Sequence, residues 1–262
     1  MLKYPNIDPI IFHIYGNLAL RWYSLAYIVG FLLCYFWLKR KNNEEKFISN
    51  DLCEKLMTMI VFGLIIGARV FDCIFYHFNE TIAHPMSMFR IWDGGMSFHG
   101  GAIGVLCVFF FFSKKYKVSV LKILDYCLIV VPVALFFGRI ANFINGELYG
   151  NITYTSPFRM IFPTDYTHQP RHPSQLYEAF SEGICLFIIA LLLYKKTNFI
   201  KTSGLLTSCL AIFYSIFRFI CEFFRSPEID NLLGLTAGQW LSIIMFLISF
   251  IFFISKLKES KS

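Results

Sequence analysis

Seven apolar stretches divide the chain, at Leu18 to Leu38, Leu56 to Tyr76, Met96 to Phe112, Ile123 to Phe137 and onward, Leu176 to Tyr194, Gly204 to Phe224 and Leu235 to Ile254. Each approaches the roughly 20 apolar residues that a helix needs to cross the hydrocarbon of a bilayer. They predict an all-α, polytopic integral membrane protein of seven transmembrane helices. Composition agrees, because 56% of the 262 residues are hydrophobic and 16% charged, against roughly 45–50% and 25% in soluble domains. The fourth stretch is the least regular, since its apolar part is short and runs on into FFGRIANFING.

Lysines set the orientation. Of fifteen, all but Lys3 fall around Lys39 to Lys55, Lys114 to Lys122, Lys195 to Lys201 and Lys256 to Lys261, which are alternate loops plus the tail. The positive-inside rule then predicts an outward N-terminus and a cytoplasmic C-terminus, in keeping with an odd number of spans. The net charge of +7 is therefore loop lysine facing an anionic leaflet, and nucleic-acid binding is excluded as its meaning. MLKYPNIDPIIF lacks a basic stretch before a cleavable apolar core, so no removable signal peptide is expected. The eight cysteines lie almost all within spans without ligand spacing, and read as buried free thiols. No repeat or low-complexity linker is present, so residues 1–262 read as a single membrane domain, with 147–174 as a small outward-facing segment.

Arginine is distributed unlike lysine. Arg69, Arg139 and Arg218 fall inside or at the outer ends of spans, and only Arg40 joins the lysines. A charge within a bilayer costs from about 2.5 to over 10 kcal/mol, and such residues face a bundle interior or cavity with a partner. Several arginines held there point to an anionic ligand.

Three motifs carry candidate chemistry. In GRIANFINGELYG, residues 138–150, Arg139 and Asn142 share a helix face, while Asn145 and Gly146 read as a stop signal that places Glu147 just beyond it. A guanidinium beside carboxamides offers forked donors suited to phosphate oxygens; the packing alternative is Arg139 snorkelling outward past a cap at Asn145. In YSIFRFICEFFR, residues 214–225, Tyr214, Arg218 and Glu222 form one polar stripe, or else an internal Arg218–Glu222 pair. In WDGGMSFHGGAIG, residues 92–104, His99 opens a helix whose Gly100, Gly101 and Gly104 admit a close neighbour, and whose free N–H groups suit an anion. Arg69 and Asp72 read as a structural pair. RHPSQLYEA, residues 171–179, reads as a helix entry capped by Ser174, with His172 and Glu178 as candidate cavity residues.

These stretches, together with LRWYSLAYIVGF in the first span, resemble the prolipoprotein diacylglyceryl transferases of bacterial plasma membranes, in order and over nearly the whole chain. The resemblance implies seven spans with an outward N-terminus. It implies transfer of the diacylglyceryl group of phosphatidylglycerol to the lipobox cysteine of a preprolipoprotein signal peptide, forming a thioether and releasing glycerol phosphate. Arg139 falls on the family's phosphatidylglycerol-binding arginine. Tyr23, His99, Asn142, Glu147, Tyr214, Arg218 and Glu222 fall on positions important in the family, and Gly100 adjoins His99 in the FHGG element.

Elementary chemistry suits these residues. A thiol near pKa 8.5 needs a base, for which His99 is the candidate. The departing phosphate needs prepositioned cations, for which Arg139 and Arg218 are the candidates; alternatively Arg218 serves the cysteine, and His99 shapes the lipid cavity. Because the donor is itself the lipid, no nucleotide, metal or organic cofactor is expected, and the partners are phosphatidylglycerol, the signal peptide and membrane lipids. A transporter or flippase of a phosphorylated lipid would also want such arginines, but it predicts inverted repeats, which the sequence lacks. A non-catalytic assembly factor with a polar core is the other rival.

Overall fold

The computed structural model describes residues 1–15, 18–90, 95–226 and 233–260. A short antiparallel hairpin opens it, with β1 (Ile10–Tyr15) paired to β2 (Leu18–Arg21). The long helices follow: α1 (Trp22–Glu45), α2 (Asn50–Phe75), a short α3 (Phe78–Ala83), α4 (Phe98–Tyr116) and α5 (Val120–Asn145). After the segment 147–173 come α6 (Ser174–Glu178), a π-helical turn at Ala179–Cys185 and α7 (Leu186–Lys196) as one continuous rod, then α8 (Leu205–Glu222) and α9 (Ala237–Glu259). Among the described residues, six helices are long and apolar enough to span a membrane: α1, α2, α5, the rod Ser174–Lys196, α8 and α9.

The hairpin departs from the all-α expectation and shortens the first stretch, because Leu18–Arg21 is strand and the helix starts at Trp22. IIFHIY is rich in β-branched and aromatic residues that favour extended chain. The indole of Trp22 donates to the Asp8 carbonyl at 3.1 Å, tying the helix start to the residues before β1.

Polarity is inverted relative to a soluble bundle. On α9 the buried residues are Gln239, Ser242 and Ser249, whereas Leu241, Ile248 and Ile251 are about two-thirds exposed. Helices with apolar exteriors and polar contacts between them are those of a lipid solvent, where small and polar residues hold neighbours together. None of the eight cysteines forms a disulfide and five of them are buried, as expected, whereas Cys34 and Cys185 are half-buried and Cys107 is exposed.

The chain forms two compact units, residues 38–120 and residues 1–37 with 121–262. In the first, α2 and α4 touch backbone to backbone: a β-carbon on Gly67, Gly100 or Gly104 would run into the facing helix. Arg69 donates to the carbonyls of Met88 (3.1 Å), Gly95 (3.0 Å) and Ser87, and lies 4.0 Å from Asp72, so the expected structural pair also clamps the connection leading to α4. In the second unit, α5 packs against α7 and α8. Its Ile129 packs with Leu186 and Ala190 of α7 and Leu206 and Leu210 of α8.

Candidate active site

The C-terminal end of α5 forms as its sequence directs. The helix stops at Asn145, Gly146 takes the left-handed conformation (φ 67°), and the Glu147 amide returns to the Asn142 carbonyl at 3.1 Å. That turn aims the Glu147 carboxylate back at the helix. It accepts from Asn142 Nδ2 at 2.7 Å and Asn145 Nδ2 at 3.2 Å, while its own carbonyl is held by Gln175 Nε2 at 2.6 Å. Ser174 is not the N-cap expected of it. Pro173 precedes the helix without a side-chain cap, and the Ser174 hydroxyl donates instead to the Leu148 carbonyl at 3.0 Å.

Arg139, one turn earlier on the same face as Asn142, meets carboxylates from the rod: Glu178 Oε2 at 3.0 Å and Glu182 Oε2 at 3.0 Å. Arg218 of α8 meets the same two, Glu178 Oε1 at 2.6 Å and Glu182 Oε1 at 3.6 Å, and Glu222 Oε2 at 2.8 Å. Arg225 adds a contact to Glu178 at 3.3 Å. The π turn lies between Glu178 and Leu186, and π turns of this kind recur at functional sites; Glu178 and Glu182 both point inward and are fully buried. The Tyr214 hydroxyl lies in the field of Arg139, Arg218, Glu178 and Glu182. Tyr23 sits 3.4 Å from the hydroxyl of Tyr27, which itself feels Arg139.

The cluster therefore holds three guanidinium groups and three carboxyl groups, and the arginines do not stand as unpaired cations. Three carboxylate oxygens, Glu178 Oε2, Glu182 Oε1 and Glu222 Oε2, are buried and accept no aligned hydrogen bond among the described residues, although guanidinium nitrogens lie near them. Glu178 Oε2 and Glu222 Oε2 lie within reach but off the N–H directions, and Glu182 Oε1 lies 3.6 Å away, so all three are held by charge rather than by hydrogen bonds. Conversely, Arg139 Nη1 and Arg218 Nε donate to no described residue, and both side chains keep about 15% exposure. Desolvating ions costs several kcal/mol each, and well-packed apolar residues often serve stability as well. Such a cluster is the mark of a task other than holding helices together.

The sequence alone passed over Glu182, treated Glu178 only as a cavity residue, and gave no role to Arg225. The missed signal was present: two acids four residues apart in an otherwise apolar span, an arrangement that demands cationic partners. The other candidates lie in the unit 38–120. His99 is the second residue of α4, with its side chain outside the described residues, as are Trp92, Asp93 and Gly94. Gly100 is buried against Gly67, and its amide goes to Ser97 Oγ at 3.4 Å, so its lack of a side chain serves helix packing.

The segment 147–174 is tied down by an ion pair of its own. Asp165, fully buried, accepts from Arg171 and from Thr167, and the Arg171 guanidinium lies 4.7 Å from the centre of the Tyr149 ring. Burial pushes the Asp165 carboxyl up, but the bonds from Arg171 and Thr167 outweigh it and hold the group below the usual carboxylate range. Tyr4 closes the segment's other side, donating to the carbonyls of Phe143 (2.6 Å) and Ile144 (2.9 Å).

A multispan helical membrane protein with a buried arginine–glutamate cluster at the C-terminal ends of α5 and α8 is a narrow class, and comparison with known proteins narrows it to one family. The prolipoprotein diacylglyceryl transferase family model matches residues 9–255. Curated relatives named phosphatidylglycerol–prolipoprotein diacylglyceryl transferase include those of Ehrlichia ruminantium, 45% identical over 92% of this chain and 93% of the relative, and Rickettsia akari, 46% over 94% and 96%. That of Idiomarina loihiensis is 40% identical over 98% and 96%. The chain belongs to the prolipoprotein diacylglyceryl transferase family.

Proposed function

We propose that this protein transfers the diacylglyceryl group of phosphatidylglycerol to the lipobox cysteine of preprolipoproteins, the first step of bacterial lipoprotein maturation. The thiolate attacks the glyceryl carbon bonded to the phosphate; the S–C bond forms, the C–O bond breaks, and glycerol phosphate leaves with the electron pair. One observation carries the reading: in a chain of this family, guanidinium groups from two helices are held together by shared buried carboxylates, and each guanidinium keeps a nitrogen that donates to no described residue.

In this reading those undonated edges of Arg139 and Arg218 receive the phosphate oxygens as negative charge grows, in a site where preorganised donors act at low dielectric. The carboxylates fix both guanidinium groups before the lipid arrives, so little reorganisation accompanies the reaction. Asn142, Glu147, Glu222, Tyr23 and Gly100 are assigned to the lipid side, and Tyr214 with Arg218 to the reacting centre. His99 is assigned as the base for the thiol, on the resemblance. The protein crosses the bacterial inner membrane seven times as a single membrane domain, with α4 as the seventh span, the N-terminus and residues 147–174 outside and the lysine-rich C-terminus inside; the lysine pattern supports this orientation.

The test is direct. Purified protein is incubated with phosphatidylglycerol vesicles and a lipobox peptide, and thioether-linked product is sought by mass spectrometry. No product where another family member yields it would defeat the reading, and lipid translocation without product would favour the transporter.

A further inference from the structure

Asp125 lies in the second turn of α5, fully buried, and its hydrogen-bond partners among the described residues belong to the start of α8. One carboxylate oxygen accepts from the Gly204 amide at 2.7 Å; the other accepts from the Thr207 amide at 2.7 Å and the Thr207 hydroxyl at 2.6 Å. Helix α8 has no cap of its own, because Gly204 precedes it with a left-handed backbone (φ 92°) and no side chain. A carboxylate from a neighbouring helix thus satisfies the orphan donors and faces the positive end of the helix dipole.

The sequence arithmetic gives this cap a second meaning. Arg139 lies 14 residues beyond Asp125, and Arg218 lies 14 beyond Gly204. At 1.5 Å per residue both arginines stand about 21 Å from the cap, and both are joined there by Glu178 and Glu182. Helices α5 and α8 therefore run parallel, pinned at one end by Asp125 and at the other by the glutamates. We infer that Asp125 is a positioning residue that sets the axial register of α8 against α5 and so levels Arg218 with Arg139. This rests on the function proposed above, because levelling matters only if both guanidinium groups act on one phosphate.

The test uses full-length protein in phosphatidylglycerol bilayers with a lipobox peptide. Asp125→Asn keeps the volume but turns one acceptor into a donor facing a donor; Thr207→Val removes one donor from the opposite side. Neither residue belongs to the arginine–glutamate cluster. A sub-ångström to 1 Å misplacement costs up to about 100-fold in rate, so kcat per folded molecule is expected to fall about tenfold or more in Asp125→Asn, with KM for lipid within about twofold. Thr207→Val should lower kcat less, and the double variant should lose no more than Asp125→Asn alone. Amide exchange at residues 204–207 should rise in Asp125→Asn, a readout independent of turnover. Faster exchange or a lower Tm with unchanged kcat would overturn the inference and leave the transferase reading standing, as would unchanged exchange. If Asp125→Asn does not fold, Thr207→Val decides, and wild-type kcat in that variant counts against. Wild-type protein that makes no thioether removes the functional reading and this inference with it.

Discussion

Arg139 and Arg218, on different helices and 79 residues apart in sequence, share the two oxygens of one carboxyl group: Glu178 Oε2 lies 3.0 Å from Arg139 Nε, and Glu178 Oε1 lies 2.6 Å from Arg218 Nη1. Two like charges held this close repel unless an anion stands between them. Glu178 supplies that anion and, being fully buried, has little room to leave. The distance between the guanidinium groups is thus a property of the folded protein before any headgroup enters.

Removing that anion should separate structure from catalysis. Breaking a buried pair by deleting one partner costs about 3–5 kcal/mol, and Glu178→Ala is expected to lower Tm by several degrees in detergent. Glu178→Gln keeps the volume and should fold better, yet it removes the closer of the two bridging charges and leaves Glu182 alone between the arginines, 3.0 Å from Arg139 and 3.6 Å from Arg218. Its transfer rate should drop at least about 100-fold, which is about 2.7 kcal/mol of barrier. Transfer within about threefold of wild type in Glu178→Gln would show that the bridge is not needed.

Arginines that look alike in sequence should behave differently. Arg139→Ala and Arg218→Ala are expected to give folded protein without turnover. Arg69 holds three backbone carbonyls of its own unit, so Arg69→Ala should mainly lower stability, by about 2–4 kcal/mol for several lost charge-assisted bonds. Thermal melts together with transfer per folded molecule check both; a fully active Arg139→Ala protein would remove the phosphate argument.

Six of the apolar stretches, the membrane class and the end of α5 were legible because each rests on local pattern: hydropathy over about 20 residues, and Asn145–Gly146 as a stop that the left-handed Gly146 obeys. The polar stripe on α8 was legible for the same reason, and its Arg218–Glu222 contact forms. What the pattern could not give was partnership across helices. Glu182 and Asp125 sit in apolar surroundings, and their roles depend on which helix lies opposite, a long-range fact that no spacing records. The hairpin was hidden because Leu18–Arg21 is apolar enough to extend the first span, and only its pairing with Ile10–Tyr15 makes it strand.

If His99 takes the proton from the incoming thiol, its loss should be compensated by alkali. A free thiol ionises near pH 8.5, so the deficit of His99→Gln relative to wild type should shrink as the assay pH rises from about 7 toward 9. Steady-state transfer across that range measures it. A deficit that stays constant with pH would assign His99 to shaping the lipid cavity instead.

Acid should loosen the segment 147–174 through Asp165. Its folded value lies below the ordinary carboxylate value because the bonds from Arg171 and Thr167 outweigh its burial. The unfolded segment therefore binds a proton more readily than the folded one, and stability falls wherever that difference operates. The contribution is fully present above the unfolded value of about 3.9 and is lost as pH falls through the lower folded value. Hydrogen exchange of amides within 147–174 is expected to stay slow from neutrality to about pH 4.5 and to rise below it, with exchange times corrected for their own pH dependence. Asp165→Asn should already exchange faster at pH 7, because Arg171 loses its buried counter-charge at a cost of about 3–5 kcal/mol, and should show no further acid step. An acid step that survives unchanged in Asp165→Asn would place the responsible group elsewhere in the segment.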